Sequence, residues 1–264
     1  MKHILIISNI PAPYRSGQFA CLRSRFPEWK VSVLYTGKIE ADRVWETDEP
    51  EGETYFLQSK VLSVKGGEVG GTATRFVHLP KGLLKMLDTL KPDAVIAGEY
   101  NLSAVQALFW AKAHQIPFVN MTDGTLHSES YIGFVQKLTR RLIIGGADSF
   151  LASGSRAKEK LLRWGAEQER IAIAYLTVDT APFLKLNRQP EDGRLLYVGR
   201  ISREKGLDLL VRALAKMKVP SVLRVAGNDV GGEQAAIQSL AESLGVADRI
   251  VWLGFREGEA LWEE

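Results

Sequence analysis

The sequence predicts an α/β protein made of two doubly wound domains with parallel sheets. Short apolar runs alternate with amphipathic stretches along most of the chain, as in strands joined by crossover helices. Several of these runs are almost continuous in Val, Ile and Leu, which is typical of parallel strands buried on both faces. The alternation breaks once, at a polar stretch near residue 190, and then restarts. This break predicts the boundary between the domains.

Composition supports two buried cores and argues against several partner classes. The 264 residues are 45% hydrophobic and 25% charged. A single cysteine, Cys21, excludes an internal disulfide and a metal site with several cysteine ligands. The net charge of +3 is too small to indicate a nucleic-acid partner, which usually needs a clustered basic face. It fits an anionic small molecule or an anionic membrane surface equally well.

The N-terminal apolar run is not typical of an export signal. It is short, and prolines follow it instead of small cleavage-site residues. No stretch approaches the ~20 apolar residues of a membrane span. We therefore expect a cytoplasmic protein. A location at the inner face of the membrane is compatible with the same observations.

The first domain is predicted to cover residues 1–186. We expect residues 38–76, which are rich in Glu and Gly, to form loops with one or two short strands. Ser103 is a candidate helix cap. One helix carries an apolar stripe of Leu83, Leu84, Leu87 and Leu90. The predicted strands are 3–8, 31–37, 94–101, 116–122 and 149–154, and the predicted helices are 17–26, 81–93, 103–115, 132–147 and 156–165.

The second domain is predicted to cover residues 194–264, after a linker at 187–193 that contains Pro190 and Gly193. Three strands would leave one edge exposed and one face uncovered, so we expect this domain to be incomplete. The predicted strands are 194–199, 221–227 and 249–254, and the predicted helices are 206–217, 233–245 and the start of one at 257–264.

Ligands of open α/β sheets bind beyond the carboxyl ends of the strands, so the polar strand ends are the candidate sites. Arg200 and Lys205 follow the first strand of the second domain, where we expect a helix to begin near residue 202 or 203. Cations at this end oppose the helix dipole, and a bound diphosphate would explain both of them. Gly199 would let the ligand approach the backbone. The alternative is that the cations are solvated or pair with Glu204.

The other strand ends supply weaker candidates, and each has a structural alternative. Asp123 precedes a glycine, so a turn role is as reasonable as a site, and His127 fits a solvated loop better. Prolines beside Tyr14 and Arg15 suggest that this segment could simply be a rigid connection. The remaining candidate cleft residues are Asn101, Asn228 and Phe255.

The predicted helix 132–147 places Lys137, Arg140 and Arg141 beside an apolar stripe. This pattern could dock on anionic lipid. A core-packed amphipathic helix whose basic face is solvated is the interpretation that we favour.

Residues 199–214, GRISREKGLDLLVRAL, resemble the Gly-Arg-x-x-x-Glu-Lys-Gly segment of the large group of retaining glycosyltransferases with the two-domain GT-B fold (glycosyltransferase family 4). The similarity continues through VLRVAGN at 222–228 and LGVADRIVWLGF at 244–255. Upstream, residues 147–183 resemble the end of the family's first domain. The similarity to the family is weaker at residues 9–19, which resemble one branch of it.

The resemblance implies a GT-B fold and transfer of a sugar from a nucleotide-diphosphate sugar, with retention of configuration. It implies that Arg200 and Lys205 hold the donor diphosphate and neutralise the leaving group. The acceptor would meet the first domain and could be a polysaccharide, a lipid-linked glycan or a small molecule. The family usually needs no metal and no cofactor, so we expect none.

Two departures from the family pattern limit this interpretation. The family places a glutamate pair later in the second domain, and the chain ends at Glu264 before such a segment. Many members carry His-Asp where this chain has Thr122 and Asp123, so the role of that histidine is unassigned. We therefore expect the chain to be truncated and, by itself, to lack measurable transferase activity.

Two alternatives remain open. One is a truncated, non-catalytic nucleotide-binding or interaction module, and the other is a nucleotide-sugar epimerase on the same fold. A dinucleotide oxidoreductase lacks its Gly-x-Gly-x-x-Gly fingerprint here, and no P-loop is present. Neither Asp-x-Asp nor His-Glu-x-x-His occurs to suggest a metal, and Ser155 lacks the context of a hydrolase nucleophile.

Overall fold

The computed structural model describes residues 1–40, 53–65, 74–186 and 191–264. The described residues divide into two compact units, of which the first comprises 1–40, 53–63 and 76–179 and the second comprises 64–65, 74–75, 180–186 and 191–264. Of the predicted linker, residues 187–190 lie outside the described residues.

The elements up to residue 173 follow the expected alternation of strands and helices. In chain order they are β1 (Lys2–Ser8), α1 (Pro13–Arg25), β2 (Trp29–Tyr35), β3 (Thr54–Phe56), β4 (Ser59–Lys65), β5 (Thr74–Pro80), α2 (Leu83–Leu90), β6 (Ala94–Gly98), α3 (Leu102–Ala113), β7 (Phe118–Thr122), α4 (Phe134–Gly146), β8 (Ser149–Ala152), α5 (Ser155–Arg163) and β9 (Ile171–Ile173).

The first unit is built on a seven-stranded sheet with the order β3-β2-β1-β6-β7-β8-β9. All neighbouring strands in it run parallel. The chain first adds strands on one side of β1 and then crosses over to add β6 on the other side. Strand order therefore reverses between β1 and β6, and this is where the loops after two neighbouring strands diverge and leave a crevice.

Alternate side chains of the strands face two different cores. Leu5 and Ile7 of β1 join the larger core, which α2, α3, α4 and α5 cover. Ile6 faces the opposite side, where α1 packs through Phe19 onto Val33 and its neighbours. This alternation is what the period of two in a strand requires.

The one or two strands expected within 38–76 are confirmed: its described residues hold β3, β4 and the first residues of β5, and β4 and β5 form a separate two-stranded sheet. Two other local expectations are wrong, each for a physical reason. Ser103 is buried inside α3, and Asn101 caps this helix instead by accepting a hydrogen bond from the Ala104 amide at 2.9 Å. Leu84 is exposed, because it lies on the side of α2 away from the core, where Leu83 and Leu87 are buried and Leu90 packs partly buried.

The second unit holds a three-stranded parallel sheet in the order β10-β11-β12, as the sequence predicts. Its core contains Val211 and Leu214 from the helix after β10, and Leu223 from β11. The elements are α6 (Ala181–Leu184), β10 (Arg194–Val198), α7 (Leu207–Lys216), β11 (Val222–Ala226), α8 (Glu233–Ser243), β12 (Ile250–Gly254) and α9 (Gly258–Trp262).

None of the helices in the described ranges is long and apolar enough to cross a membrane. In the same ranges, no three or more His, Cys, Asp or Glu side chains are grouped so that they could hold a metal ion.

Candidate functional site

A cavity of about 190 Å³ opens at the carboxyl ends of β1, β6 and β7 in the first unit. It lies at the reversal of strand order, where ligand sites of open α/β sheets form. The amide of Asn101 donates to the Asn9 side chain at 3.1 Å, so the loops after β1 and β6 are tied together at this point. The lining residues are Ser8, Asn9, Ile10, Ala12, Tyr14, Arg15, Glu40, Gly98, Glu99, Met121 and Asp123.

The start of α1 brings Tyr14 and Arg15 to this cavity. Pro13 occupies the first turn of α1, where its missing N–H costs nothing. The Arg15 guanidinium reaches the Met121 sulfur at 3.1 Å and lies 5.9 Å from the centre of the Tyr14 ring. The structure thus places both predicted residues on the cavity, and gives Asn101 a capping and bridging role beside it.

Glu99 is the functional candidate that sequence reasoning did not single out. It follows β6 with a φ of 60°, a left-handed conformation that is uncommon for a residue other than glycine and that concentrates at functional sites. Its carboxylate accepts hydrogen bonds from the Asp123 amide at 3.0 Å and the Thr122 hydroxyl at 3.3 Å. The polar residues after β6 were the only sequence signal for this carboxylate.

The Glu99 carboxyl is arranged to hold a proton near neutral pH. Burial, followed by the negative charge of Asp123, raises the pKa of Glu99 to about 7. Asp123 is exposed at the mouth of the cavity, next to this carboxyl. Two neighbouring carboxyls, one of which titrates near neutrality, can take up a proton from a bound hydroxyl or return one.

Replacing Glu99 by glutamine is expected to change how stability depends on pH. An unfolded glutamate titrates near ~4.3, so the folded wild type binds a proton more tightly between about pH 5 and 7. The free energy of unfolding of the first unit should therefore fall as the pH rises through this window, and Glu99→Gln should remove that fall. Amide hydrogen exchange in β6 and β7, measured across the window, reports it.

The matched control is Glu159→Gln, which removes a carboxylate of the same charge from an exposed position on α5. This variant should keep the wild-type slope. Identical slopes in wild type and Glu99→Gln would contradict the assignment of a raised pKa to Glu99.

A buried cation lies directly behind the two carboxyls. The Lys160 ammonium of α5 is fully buried and donates to the Thr122 hydroxyl at 2.8 Å, and this hydroxyl in turn donates to Glu99. Burial lowers the pKa of Lys160, and the charges of Glu129 and Glu99 oppose that shift. A hydrogen-bonded path thus joins Lys160 to the cavity through a single hydroxyl.

Glu129 balances the buried charge on the other side. It lies 3.2 Å from the Lys160 ammonium and 2.6 Å from the Arg140 guanidinium. Burial alone would raise the pKa of Glu129, but the hydrogen bond from Arg140 and the charge of Lys160 hold it below its usual range. Both cations also stack on the ring of Tyr100, with the Lys160 nitrogen 4.6 Å and the Arg140 carbon 4.8 Å from its centre.

This network corrects the sequence interpretation of two residues. Arg140 was assigned to a solvated basic face, but it is buried because Glu129 and Tyr100 neutralise and cover it. Gly124 does more than follow a turn residue. A Cβ at position 124 would collide with the Glu129 carboxylate and come within 2.9 Å of the Lys160 nitrogen.

The two predicted catalytic candidates of the first domain are separated by the structure. Asp123 lines the cavity, whereas His127 is exposed on the following loop and is not among the lining residues. The backbone carbonyl of His127 accepts from Ser130, so this residue contributes to a turn. No sequence pattern signalled Lys160 or Glu129, because their roles depend on burial.

In the second unit, the predicted residues follow three adjacent strands at one edge of the sheet. Gly199, Gly227 and Gly254 end or directly follow β10, β11 and β12. A Cβ on Gly227 would collide with the carbonyl oxygen of Gly199, so glycine permits this close approach. The backbone carbonyl of Asn228 accepts a hydrogen bond from the Ile201 amide at 2.9 Å, which links the segments after β10 and β11. Phe255 lies partly exposed after β12.

Arg200 and Lys205 lie within one short segment at this edge. The Arg200 guanidinium is 3.5 Å from the Glu204 carboxylate, so one of the alternatives raised for it is present in the structure. Lys205 is exposed at the end of a 3-10 turn, Arg203–Lys205. Burial opposes ionisation of Glu204, but its hydrogen bonds and the charges of Arg200 and Lys205 keep its pKa below the usual range.

The predicted helix 206–217 is confirmed as α7, whereas only a 3-10 turn begins near the alternative start at residue 202 or 203. Gly206 has a φ of 66°, and this left-handed conformation separates the 3-10 turn from α7, which begins at Leu207. Lys205 therefore precedes the α-helix instead of lying within its first turn. A separate cavity of about 680 Å³ in this unit lies at the opposite edge, lined by residues 191–194 and 217–222 together with Arg224 and Arg249.

Comparison with known proteins identifies this architecture. The crystal structure of HepE from Anabaena in complex with UDP and glucose superposes with a TM-score of 0.65 at 16% sequence identity, covering 97% of this chain and 70% of that one. The chain has the GT-B fold. UDP-GlcNAc 2-epimerase from Neisseria meningitidis, bound to UDP-GlcNAc, superposes with a TM-score of 0.56 at 14% identity, covering 100% of this chain and 74% of that one.

Sequence comparison points to glycosyltransferases. Residues 181–264 match the family model for glycosyl transferases group 1. The chain is 28% identical over 192 residues to lipopolysaccharide 1,6-galactosyltransferase from Escherichia coli (strain K12). This alignment covers 71% of this chain and 50% of that protein. The chain thus spans about half the length of this curated relative.

Proposed function

We propose that the protein is a glycosyltransferase that moves a sugar from a nucleotide-diphosphate sugar to a glycan or lipid-linked acceptor. The observation that carries the proposal is the segment 199–206. It places Arg200 and Lys205 at the carboxyl edge of a parallel sheet, within the residues that match the glycosyl transferases group 1 model. Two cations at such an edge suit a diphosphate leaving group, whose charge they would neutralise.

The ion pair between Arg200 and Glu204 does not oppose this proposal. Its two groups are 3.5 Å apart and both are partly exposed. Such pairs contribute about 0–1 kcal/mol. A diphosphate offers oxygens for two-pronged contacts, which are roughly twice as strong as neutral hydrogen bonds, and would displace Glu204.

We assign the acceptor to the cavity of the first unit. Asn9, Glu40, Glu99 and Asp123 line it with oxygens that accept hydrogen bonds, and the hydroxyls of a sugar can donate to these groups. The network of Lys160 and Glu129 behind the cavity holds the Glu99 carboxyl in place through the Thr122 hydroxyl, and the Asp123 amide donates to the same carboxyl. Tyr14 and Arg15 would contact the acceptor from the start of α1.

The finer features of the reaction rest on the resemblance of segment 199–214 to retaining GT-B enzymes. We propose retention of configuration and a reaction that uses no metal and no cofactor, since Arg200 and Lys205 supply the positive charge. We also propose a role in polysaccharide or lipopolysaccharide assembly at the cytoplasmic face of a membrane. The name of the Escherichia coli relative supports the lipopolysaccharide part of this proposal.

Titration calorimetry of the 264-residue chain with UDP tests the donor site. We expect UDP to bind and uridine, which lacks the diphosphate, to bind far more weakly. Glu204→Gln should raise the UDP affinity about two- to fivefold, because it releases Arg200 from a weak ion pair. Glu242→Gln, which changes an exposed acid in the last turn of α8, is the matched control. Equal affinities for UDP and uridine would contradict the proposal.

A nucleotide-sugar epimerase is the second candidate, and the Glu99–Asp123 pair is the observation that favours it. Inverting a carbon centre requires groups that take and return a proton, and this pair is suited to do so near neutral pH. Incubation with UDP-GlcNAc and no acceptor separates the two functions. An epimerase would produce an epimer in the proton NMR spectrum, whereas a transferase would leave the configuration at each ring carbon unchanged.

A further inference from the structure

The outer surface of α4 is apolar although it faces solvent. Phe134 is 79% exposed, Val135 70% and Leu138 45%, and Tyr131 just before the helix is 69% exposed. With Leu142 they recur at helical spacing and form a stripe about 100° wide. We call this stripe the α4 outer face. Large exposed apolar patches mark interaction sites, because monomeric proteins otherwise bury such side chains.

The inner side of α4 is occupied separately. Ile143 and Ile144 are buried in the core of the first unit, and Arg140 is buried against Glu129. The residues of the α4 outer face are therefore not needed to hold the helix on the sheet. The preferred sequence interpretation is therefore confirmed in part, because α4 packs on the core and two of its three basic residues are exposed. It is wrong for Arg140, which is buried, and for the apolar stripe that faces solvent.

The exposed charged side chains of α4 are all basic. Lys137 and Arg141 are exposed and lie along one border of the stripe. Neither α4 nor α3, which packs against it, contains an Asp or a Glu. In addition, α3 leaves Phe109 56% exposed. An apolar stripe flanked by cations without acids is complementary to a surface that is apolar inside and anionic outside.

We propose that the α4 outer face docks the protein on anionic phospholipid, with the apolar stripe inserted among the acyl chains and Lys137 and Arg141 at the headgroups. Aromatic side chains such as Tyr131 and Phe134 suit the boundary between headgroups and acyl chains. The helix lies in the plane of the membrane surface. This inference concerns a surface of the first unit and does not depend on the proposed sugar transfer.

Co-sedimentation of the 264-residue chain with lipid vesicles tests the proposal. We expect binding to vesicles of phosphatidylcholine and phosphatidylglycerol in equal parts, and weak binding to pure phosphatidylcholine. High salt should reduce the binding, because exposed charges are screened. Phe134→Ser/Val135→Ser should weaken it at least about tenfold through lost apolar insertion. Lys137→Glu/Arg141→Glu should weaken it at least about twentyfold, since each basic group contributes roughly fivefold.

The matched control variants make the same kinds of substitution on the surface of the second unit. Leu209→Ser/Val219→Ser removes two exposed apolar side chains of the second unit, and Arg212→Glu/Lys216→Glu reverses two exposed charges of α7. Both should bind vesicles like the wild type.

The proposal is overturned if the wild type does not bind anionic vesicles, or if the controls lose as much binding as the α4 variants. A dimer that forms without lipid, detected by sedimentation velocity, would also overturn the proposal if Phe134→Ser/Val135→Ser dissociates it. The α4 outer face would then be the contact between two copies of the chain.

Discussion

Replacing Arg200 and Lys205 together by alanine is expected to weaken UDP binding at least about a hundredfold. Hydrogen bonds to charged groups contribute about 1.5–3 kcal/mol each, and the double variant removes both cations assigned to the diphosphate. Every ~1.4 kcal/mol is a tenfold change in affinity. Titration calorimetry of the 264-residue chain with UDP measures the change, and circular dichroism verifies that the variant is folded.

Arg212→Ala/Lys216→Ala is the matched control for this prediction. It removes one arginine and one lysine from exposed positions of α7, close in sequence to the proposed donor site. The affinity for UDP should then remain within about twofold of the wild type, because exposed cations away from a ligand contribute little beyond long-range attraction. If Arg200→Ala/Lys205→Ala binds UDP as tightly as this control, the donor assignment is refuted.

Replacing Lys160 by methionine is expected to destabilise the first unit by about 3 kcal/mol. Removing one partner of a buried ion pair costs roughly 3–5 kcal/mol, and the lower figure applies here because Arg140 still neutralises Glu129. Methionine fills much of the same space, so the loss reports the charge and its hydrogen bonds more than a cavity. Amide exchange in β7 and β8 should become about a hundredfold faster.

Arg163→Met provides the comparison on the same helix. This arginine is exposed at the end of α5, so its loss should change stability by no more than about 0.5 kcal/mol. Equal exchange rates in Lys160→Met and Arg163→Met would show that the buried network contributes nothing to the fold. Exchange in β11 serves as an internal reference, because this strand belongs to the second unit.

Periodicity and local motifs predicted the architecture well. Apolar runs such as residues 3–8 and 94–98 are strands, because consecutive apolar side chains suit a sheet covered on both faces. The segment 199–206 indicated the fold family through residues that stand together in the sequence. The helix predicted at 206–217 is confirmed, and the left-handed Gly206 separates it from the 3-10 turn Arg203–Lys205.

The candidate site of the first unit was only partly predictable. Asp123 and the Tyr14–Arg15 pair were found because they follow strands. Glu99 follows a strand as well, but the sequence does not distinguish it from the other polar residues there, since its importance comes from a strained backbone and a neighbouring carboxyl. The burial of Arg140 could not be inferred, because a basic residue on an amphipathic helix is usually solvated.

The sequence by itself determined the α/β class, the restart near residue 190 and the cationic segment at the edge of the second sheet. These features depend on residues close together in the chain, whose spacing sets the side-chain period and the turn. Only the tertiary structure decided that Lys160, Glu129 and Glu99 form one network, and that the apolar side of α4 faces outward. Both outcomes depend on packing between segments distant in sequence, since burial is what turns an ordinary charge into a costly one that must be paired.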